Sequence, residues 1–197
     1  RLKALDPAYV SVTWGAGGST GRNTIDTVDM IRRELGIESM LHLTCVGTSK
    51  VEIDATLVEV RARGIENIMA LRGDPPKGNR HFKPHPEGFR YGNELVSHIH
   101  ERWDFCTGVA GYPEGHPEAP DKETDLQHLK RKVESGAEFI VTQLFFANDD
   151  FFDFEDRARA KGITVPILPG IMPITNVSQI KRFTDMCGAR IPSPLLE

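Results

Sequence analysis

Two kinds of hydrophobic pattern alternate along the chain. Short apolar runs rich in β-branched residues predict strands at 9–14, 40–45, 67–72, 107–112, 139–145 and 166–171. Longer stretches of helical period predict helices at 22–35, 50–63, 92–102, 124–135, 149–161 and 178–186. In the fourth of these, Leu126, Leu129 and Val133 fall on one face at i, i+3 and i+7. Gly36, Gly64, Gly136 and Gly162 follow helices, where a left-handed cap is needed. Such strand–helix alternation means a parallel sheet buried on both faces. An open doubly wound sheet and a closed barrel both satisfy that condition. The cadence of units favours an α/β TIM barrel, (β/α)₈, with about six of its eight βα units present. The expectation is one barrel domain over residues 1–197, with a strand missing before the first residue and another after the last.

Composition narrows the function classes. The 197 residues carry 24 basic and 28 acidic side chains, a net charge of −4, which suggests neither a nucleic-acid footprint nor a basic membrane face. No apolar run is long enough to span a bilayer, and RLKALDPAYV does not read as a signal peptide. Cys45, Cys106 and Cys187 are far apart, with no CxxC pair and no zinc pattern. A reduced, cytoplasmic protein with small buried thiols is expected. The stretch 75–90, PPKGNRHFKPHPEGFR, is a long loop carrying Lys77, Arg80, Lys83 and Arg90. It reads equally as a solvated basic loop and as a phosphate-binding one.

In a (β/α)₈ barrel the active site lies at the C-terminal ends of the strands. The predicted strands deliver Thr13-Trp14-Gly15-Ala16, His42 with Thr44, Arg72-Gly73-Asp74, Tyr112 through Glu118, Thr142-Gln143 and Gly170-Ile171-Met172 to that end. A histidine in a strand is more often a hydrogen-bonded core group than a ligand. Arg72 and Asp74 read equally as an ion pair at a strand end. Gln143 is a different case, because an amide inside an apolar strand costs a few kcal/mol unless partnered. There are too few His, Asp and Glu residues at strand ends for a metal cluster, and no GxSxG, Walker A or GxGxxG motif occurs.

The segments VSVTWGAGGST, LHLTC, ALRGDPP, PHPEGFRYGNELV, YPEGHPEA, DLxxLKRKVxxGA, VTQLFF and PILPGIMP occur in this order over almost the whole chain. Together they resemble the methylenetetrahydrofolate reductase family. The resemblance implies an oxidoreductase that reduces 5,10-methylenetetrahydrofolate to 5-methyltetrahydrofolate by ping-pong hydride transfer. The hydride comes from NADH or NADPH through bound FAD, in one-carbon metabolism feeding methionine synthesis. It implies FAD-contact positions at Thr13, Trp14, Ala16, His42, Arg72, Gly73, Asp74, Tyr91 and Gly92. It implies further ones at Tyr112, His116, Ala119, Asp125, His128, Arg131 and Lys132. On that basis Arg131 and Lys132 neutralise the pyrophosphate, and Gly73 lets backbone approach the flavin ring.

The resemblance makes Asp74 the catalytic carboxylate, bonding the pterin and stabilising positive charge as the methylene bridge opens. It makes Gln143, Gln179 and Phe183 substrate-side positions, with Asp74 shared between flavin and folate. The family's proton donor, a glutamate in a motif like FEFFPP, is not found in this sequence, and the expectation places it on a strand before residue 1. A homo-oligomer is implied. The competing readings are a folate- or corrinoid-linked methyltransferase barrel and a non-catalytic pterin-binding subunit.

Overall fold

A computed structural model describes residues 2–14, 21–74, 83–174, 176, 178, 180, 184 and 188–195. Six strands follow one another in chain order across one sheet: β1 (Val10–Val12), β2 (Ser39–Thr44), β3 (Asn67–Leu71), β4 (Cys106–Gly111), β5 (Phe139–Thr142) and β6 (Ile167–Leu168). Between them run α1 (Gly21–Met30), α2 (Lys50–Ala62), α3 (Gly92–Arg102), α4 (Lys122–Glu134) and α5 (Asn148–Ala160). Parallel strands in sequential order with a helix after each are the repeat of the (β/α)₈ fold, and six of its units are present here. Helical backbone at Ser178, Ile180 and Thr184 follows β6.

The observed strands stop earlier than the apolar runs predict. β5 ends at Thr142 rather than 145, and β6 is only Ile167–Leu168. Trp14, Arg72, Tyr112 and Gln143 therefore sit just beyond strand ends, in the loops. Apolar character continues past the ladder because these loop residues still pack: Phe145 is buried although it lies outside β5. The predicted helix over 22–35 is also not uniform. Its last turn, Ile31–Leu35, widens to a π-helix before Gly36 closes it at φ +66. Gly64, Gly136 and Gly162 likewise have positive φ, as the left-handed caps require.

The chain divides into two compact units, Arg1–Gly108 and Val109–Glu197, with β4 shared across the boundary. In the first, Leu41 and Leu43 of one β2 face and Cys45 just after it are fully buried, with Ile53 and Leu57 of α2 and Leu95 of α3 also in the core. A capping box starts α2: Ser49 Oγ accepts from the Glu52 N–H, and Glu52 Oε2 accepts from the Ser49 N–H at 2.8 Å. In the second unit, Leu126 and Leu129 of α4 are buried, as are Ile140 of β5 and Phe154 and Ala158 of α5, while Val133 is half-buried. Gly111 is needed there, because a Cβ would lie 2.9 Å from both Ile140 Cγ2 and Phe154 Cζ. No helix among the described residues is long and apolar enough to cross a membrane.

Candidate functional site

In the first unit the parallel register sorts side chains by face. Ser11 pairs with Met40, His42 with Met69, and Met69 with Gly108. Carried one residue further, the β1–β2 register sets Thr13 beside His42. Thr13 is exposed, and its carbonyl accepts the Thr24 hydroxyl at 3.3 Å. His42 is half-buried, and burial holds its imidazole below the ordinary histidine range. No hydrogen bond to its ring is found among the described residues. A neutral imidazole there offers one donor and one acceptor. The Trp14 ring covers Gly21 at the start of α1 and leaves no room there for a side chain.

The end of β3 is closely built. Val46 N–H donates to the Arg72 carbonyl (2.9 Å) and Cys45 N–H to the Leu71 carbonyl (3.1 Å). Gly73 then turns at φ +86, and a Cβ on it would fall 2.5 Å from Val46 Cγ1 and 3.0 Å from Thr44 Cβ. The sequence expectation gave Gly73 the task of admitting a flavin ring. On the side where a Cβ would stand, Val46 and Thr44 fill the space, so the protein's own packing already requires a glycine here, whether or not a ligand approaches its backbone. Asp74 follows, exposed. Gly92 opens α3 against the same strand end: a Cβ would stand 3.6 Å from Arg72 N. Tyr91, its N-cap, is extended and 53% exposed. Beneath this end the Cys45 thiol is pushed up to about 11 by burial, so it is an inert core group.

Of the long loop, residues 83–90 are described, and they are anchored. Lys50 N–H donates to the Glu87 carbonyl (3.0 Å), and Ser49 bridges Gly88. Phe89 is buried against the His98 ring, with the Lys50 ammonium 5.2 Å from its centroid. Lys83 and Arg90 are exposed, and Lys77 and Arg80 lie outside the described residues. Ala16, Gln179, Phe183 and Cys187 also lie outside them.

In the second unit the YPEGHPEA segment forms a compact turn after β4. Gly115, at φ +92, donates its N–H to the Tyr112 carbonyl (3.0 Å), and Ala119 N–H donates to the His116 carbonyl (2.9 Å). The Tyr112 and His116 rings meet edge to face at 4.6 Å. Asp125, His128 and Lys132 lie on one face of α4 at i, i+3 and i+7. The Asp125 carboxylate is buried and accepts the His116 backbone N–H. Burial pushes its pKa up, while Lys132, His116 and His128 oppose that by charge. Lys132 Nζ donates to the Ala110 carbonyl at 3.1 Å, which draws it toward the end of β4. Arg131 is exposed, and as the neighbouring residue of a helix it points about 100° away from Lys132. The two cations predicted to share one pyrophosphate thus leave the helix in different directions, and Lys132 alone lies with Asp125.

Gln143 sits immediately after β5. Its N–H donates to the Gly111 carbonyl (2.7 Å), and its Oε1 accepts the Leu144 N–H (2.9 Å). Gln143 thus lies just past the strand rather than inside it as the apolar run predicts; its carbonyl half is engaged locally, leaving the NH₂ half for another partner. Gln143 and Tyr112 line one small hollow with Pro113, Glu114, Gly115, Leu144 and Ala189. Glu114 is not among the contact positions the sequence implies, yet its carboxylate receives the backbone N–H of Arg190. Nothing in the local pattern signals a partner so distant in sequence. Among the described residues no group of three or more His, Cys, Asp or Glu is placed to hold a metal ion.

Sequential parallel strands alternating with helices define a (β/α)-barrel protein, a fold whose sites lie at the C-terminal ends of the strands. The chain belongs to the methylenetetrahydrofolate reductase family, whose model matches residues 1–197. It is 42% identical over 206 residues to "Methylenetetrahydrofolate reductase (NADH) 1" of Zea mays, covering 99% of this chain and 35% of the maize protein. It is 42% identical over 193 residues to the 5,10-methylenetetrahydrofolate reductase of Salmonella typhimurium, covering 98% of this chain and 63% of that protein. The chain thus spans about a third of the plant relative's length. Among solved structures, a Clostridium thermocellum protein described as binding two copies of 5-methyl-5,6,7,8-tetrahydrofolic acid shares the fold. It aligns at a TM-score of 0.55 and 14% identity, over 98% of this chain and 76% of that one.

Proposed function

We propose that the chain is the FAD-binding catalytic domain, residues 1–197, of an enzyme that reduces 5,10-methylenetetrahydrofolate to 5-methyltetrahydrofolate with NADH or NADPH. The observation that carries this reading is the family match over the full length, with Asp74 and Gln143 following β3 and β5. The reduced, buried thiol of Cys45 suits a cytoplasmic setting.

The residues present fit a flavin nucleotide by the chemistry of their donors. In the first unit, Thr13 and the neutral His42 offer hydrogen bonds to ribityl or ring oxygens. In the second, Lys132, held half-buried by the Ala110 carbonyl and faced by Asp125, places one fixed cation for a phosphate. The exposed Arg131 supplies a second, solvated charge. When bound, FAD supplies a two-electron carrier that takes hydride from the nicotinamide and passes it to the folate.

The remaining chemistry belongs to side chains. Asp74, exposed after the Gly73 turn, accepts hydrogen bonds from the pterin amino and ring N–H groups. Its negative charge stabilises the cation that develops as the methylene bridge opens. The Gln143 NH₂ group, with its carbonyl already used, donates to the pterin. Gln179 and Phe183 are assigned to the substrate side, where an aromatic ring can stack on the ligand.

The protein carrying this chain should purify yellow. Anaerobic NADH or NADPH should bleach the flavin band, and methylenetetrahydrofolate should restore it. A colourless preparation that takes up no added FAD refutes the proposal.

A further inference from the structure

The turn after β4 is held by its own contacts. Gly115 N–H donates to Tyr112 O (3.0 Å), Ala119 N–H to His116 O (2.9 Å) and Glu118 N–H to His116 Nδ1 (3.1 Å), and Asp125 accepts the His116 N–H. None of these bonds uses the Glu114 carboxylate. That carboxylate reaches across 76 residues of sequence, and its two oxygens accept the Arg190 backbone N–H at 3.0 and 3.1 Å.

A second contact reinforces the first. Gly188, at φ +76, lies so close to the turn that a Cβ would come within 2.9 Å of Pro117 Cγ. Gly188 N–H in turn donates to the carbonyl of Thr184 (2.8 Å), which, like Ile180, has helical backbone. Both of those side chains are buried. The Arg190 guanidinium also meets Asp150 of α5 at 3.4 Å. Ala189, Glu114, Tyr112 and Gln143 share one small hollow, so the fastening adjoins the pterin-side amide directly.

We infer that Glu114 is a positioning residue: its carboxylate fastens residues 188–190 to the turn after β4. This rests on the reductase reading, in which Gln179 and Phe183, on the chain just before residue 188, are substrate-side and the turn carries the flavin-side Tyr112 and His116. The turn keeps its internal bonds without Glu114, whereas residues 188–190 lose a charge-assisted one. Loss of Glu114 therefore acts on folate and spares flavin.

The test uses the FAD-loaded protein and two readouts. In Glu114→Ala, hydrogen exchange of the Arg190 amide should accelerate about tenfold, as removing one charge-assisted bond predicts. The KM for methylenetetrahydrofolate should rise by about the same factor, with the flavin spectrum and FAD retention unchanged. Glu114→Gln, whose Oε1 still accepts, should restore most of both. Arg190→Ala, which keeps the backbone N–H, should leave the exchange within about twofold of wild type once intrinsic sequence effects are corrected. Unchanged Arg190 exchange in Glu114→Ala overturns the inference, as does loss of FAD with KM unaltered. Accelerated exchange in a protein that proves to bind no folate upholds the fastening and refutes only the reductase reading.

Discussion

Gly73→Ala separates a glycine required by packing from one required by a ligand. An alanine at φ +86 is strained by about 1–2 kcal/mol. Its Cβ would also sit 2.5 Å from Val46 Cγ1, 3.0 Å from Thr44 Cβ and 3.2 Å from Val46 Cβ. Those atoms belong to the end of β2 and the residues just after it, which are tied to β3 by the Cys45 and Val46 backbone bonds. Such overpacking costs about 1–3 kcal/mol. The sum is about 2–5 kcal/mol of lost stability, present without any flavin. Urea unfolding of flavin-free protein, followed by circular dichroism, measures it as a lower midpoint at constant slope. Val46→Ala supplies the internal control. In that background Gly73→Ala should cost about 1–2 kcal/mol less, because Cγ1 is gone while the backbone strain remains. The reasoning is refuted if Gly73→Ala unfolds within about 0.5 kcal/mol of wild type while FAD affinity falls. That result would assign the space beside Gly73 to the ligand.

Two further outcomes are expected. Asp74→Asn should slow the folate half-reaction by about tenfold or more, with much less effect on flavin reduction by nucleotide; equal losses in stopped flow would contradict the role given to Asp74. His42, whose folded pKa is lowered by burial, binds fewer protons folded than unfolded below the unfolded value near 6.5. Its contribution is therefore present above that pH and lost as pH falls through the folded value, so stability rises with pH in this window. His42→Gln should flatten that part of the curve in urea titrations from pH 5 to 8, and an unchanged slope would count against the burial argument.

The extent to which the site was legible varied by residue. Helix limits set by glycine caps came through well, since a left-handed residue after a helix is a local demand that Gly64 and Gly162 meet visibly. The strands at β5 and β6 were overestimated, because Phe145 is apolar for packing in a loop and hydrophobicity alone does not distinguish ladder from loop. Arg131 and Lys132 look equivalent in sequence, and helical geometry makes them unequal.

The sequence by itself determined the alternation of strand and helix, the parallel class of the sheet and the family, through segments such as LRGDPP and YPEGHPEA. These properties follow from local periodicity and residue identity, which need no knowledge of distant neighbours. Only the tertiary structure decided what Gly73 packs against, that Lys132 turns to the Ala110 carbonyl, and that Glu114 holds the Arg190 amide. Each of those depends on groups brought together from separate elements, with Glu114 and Arg190 lying 76 residues apart, and no periodic pattern records such a pairing.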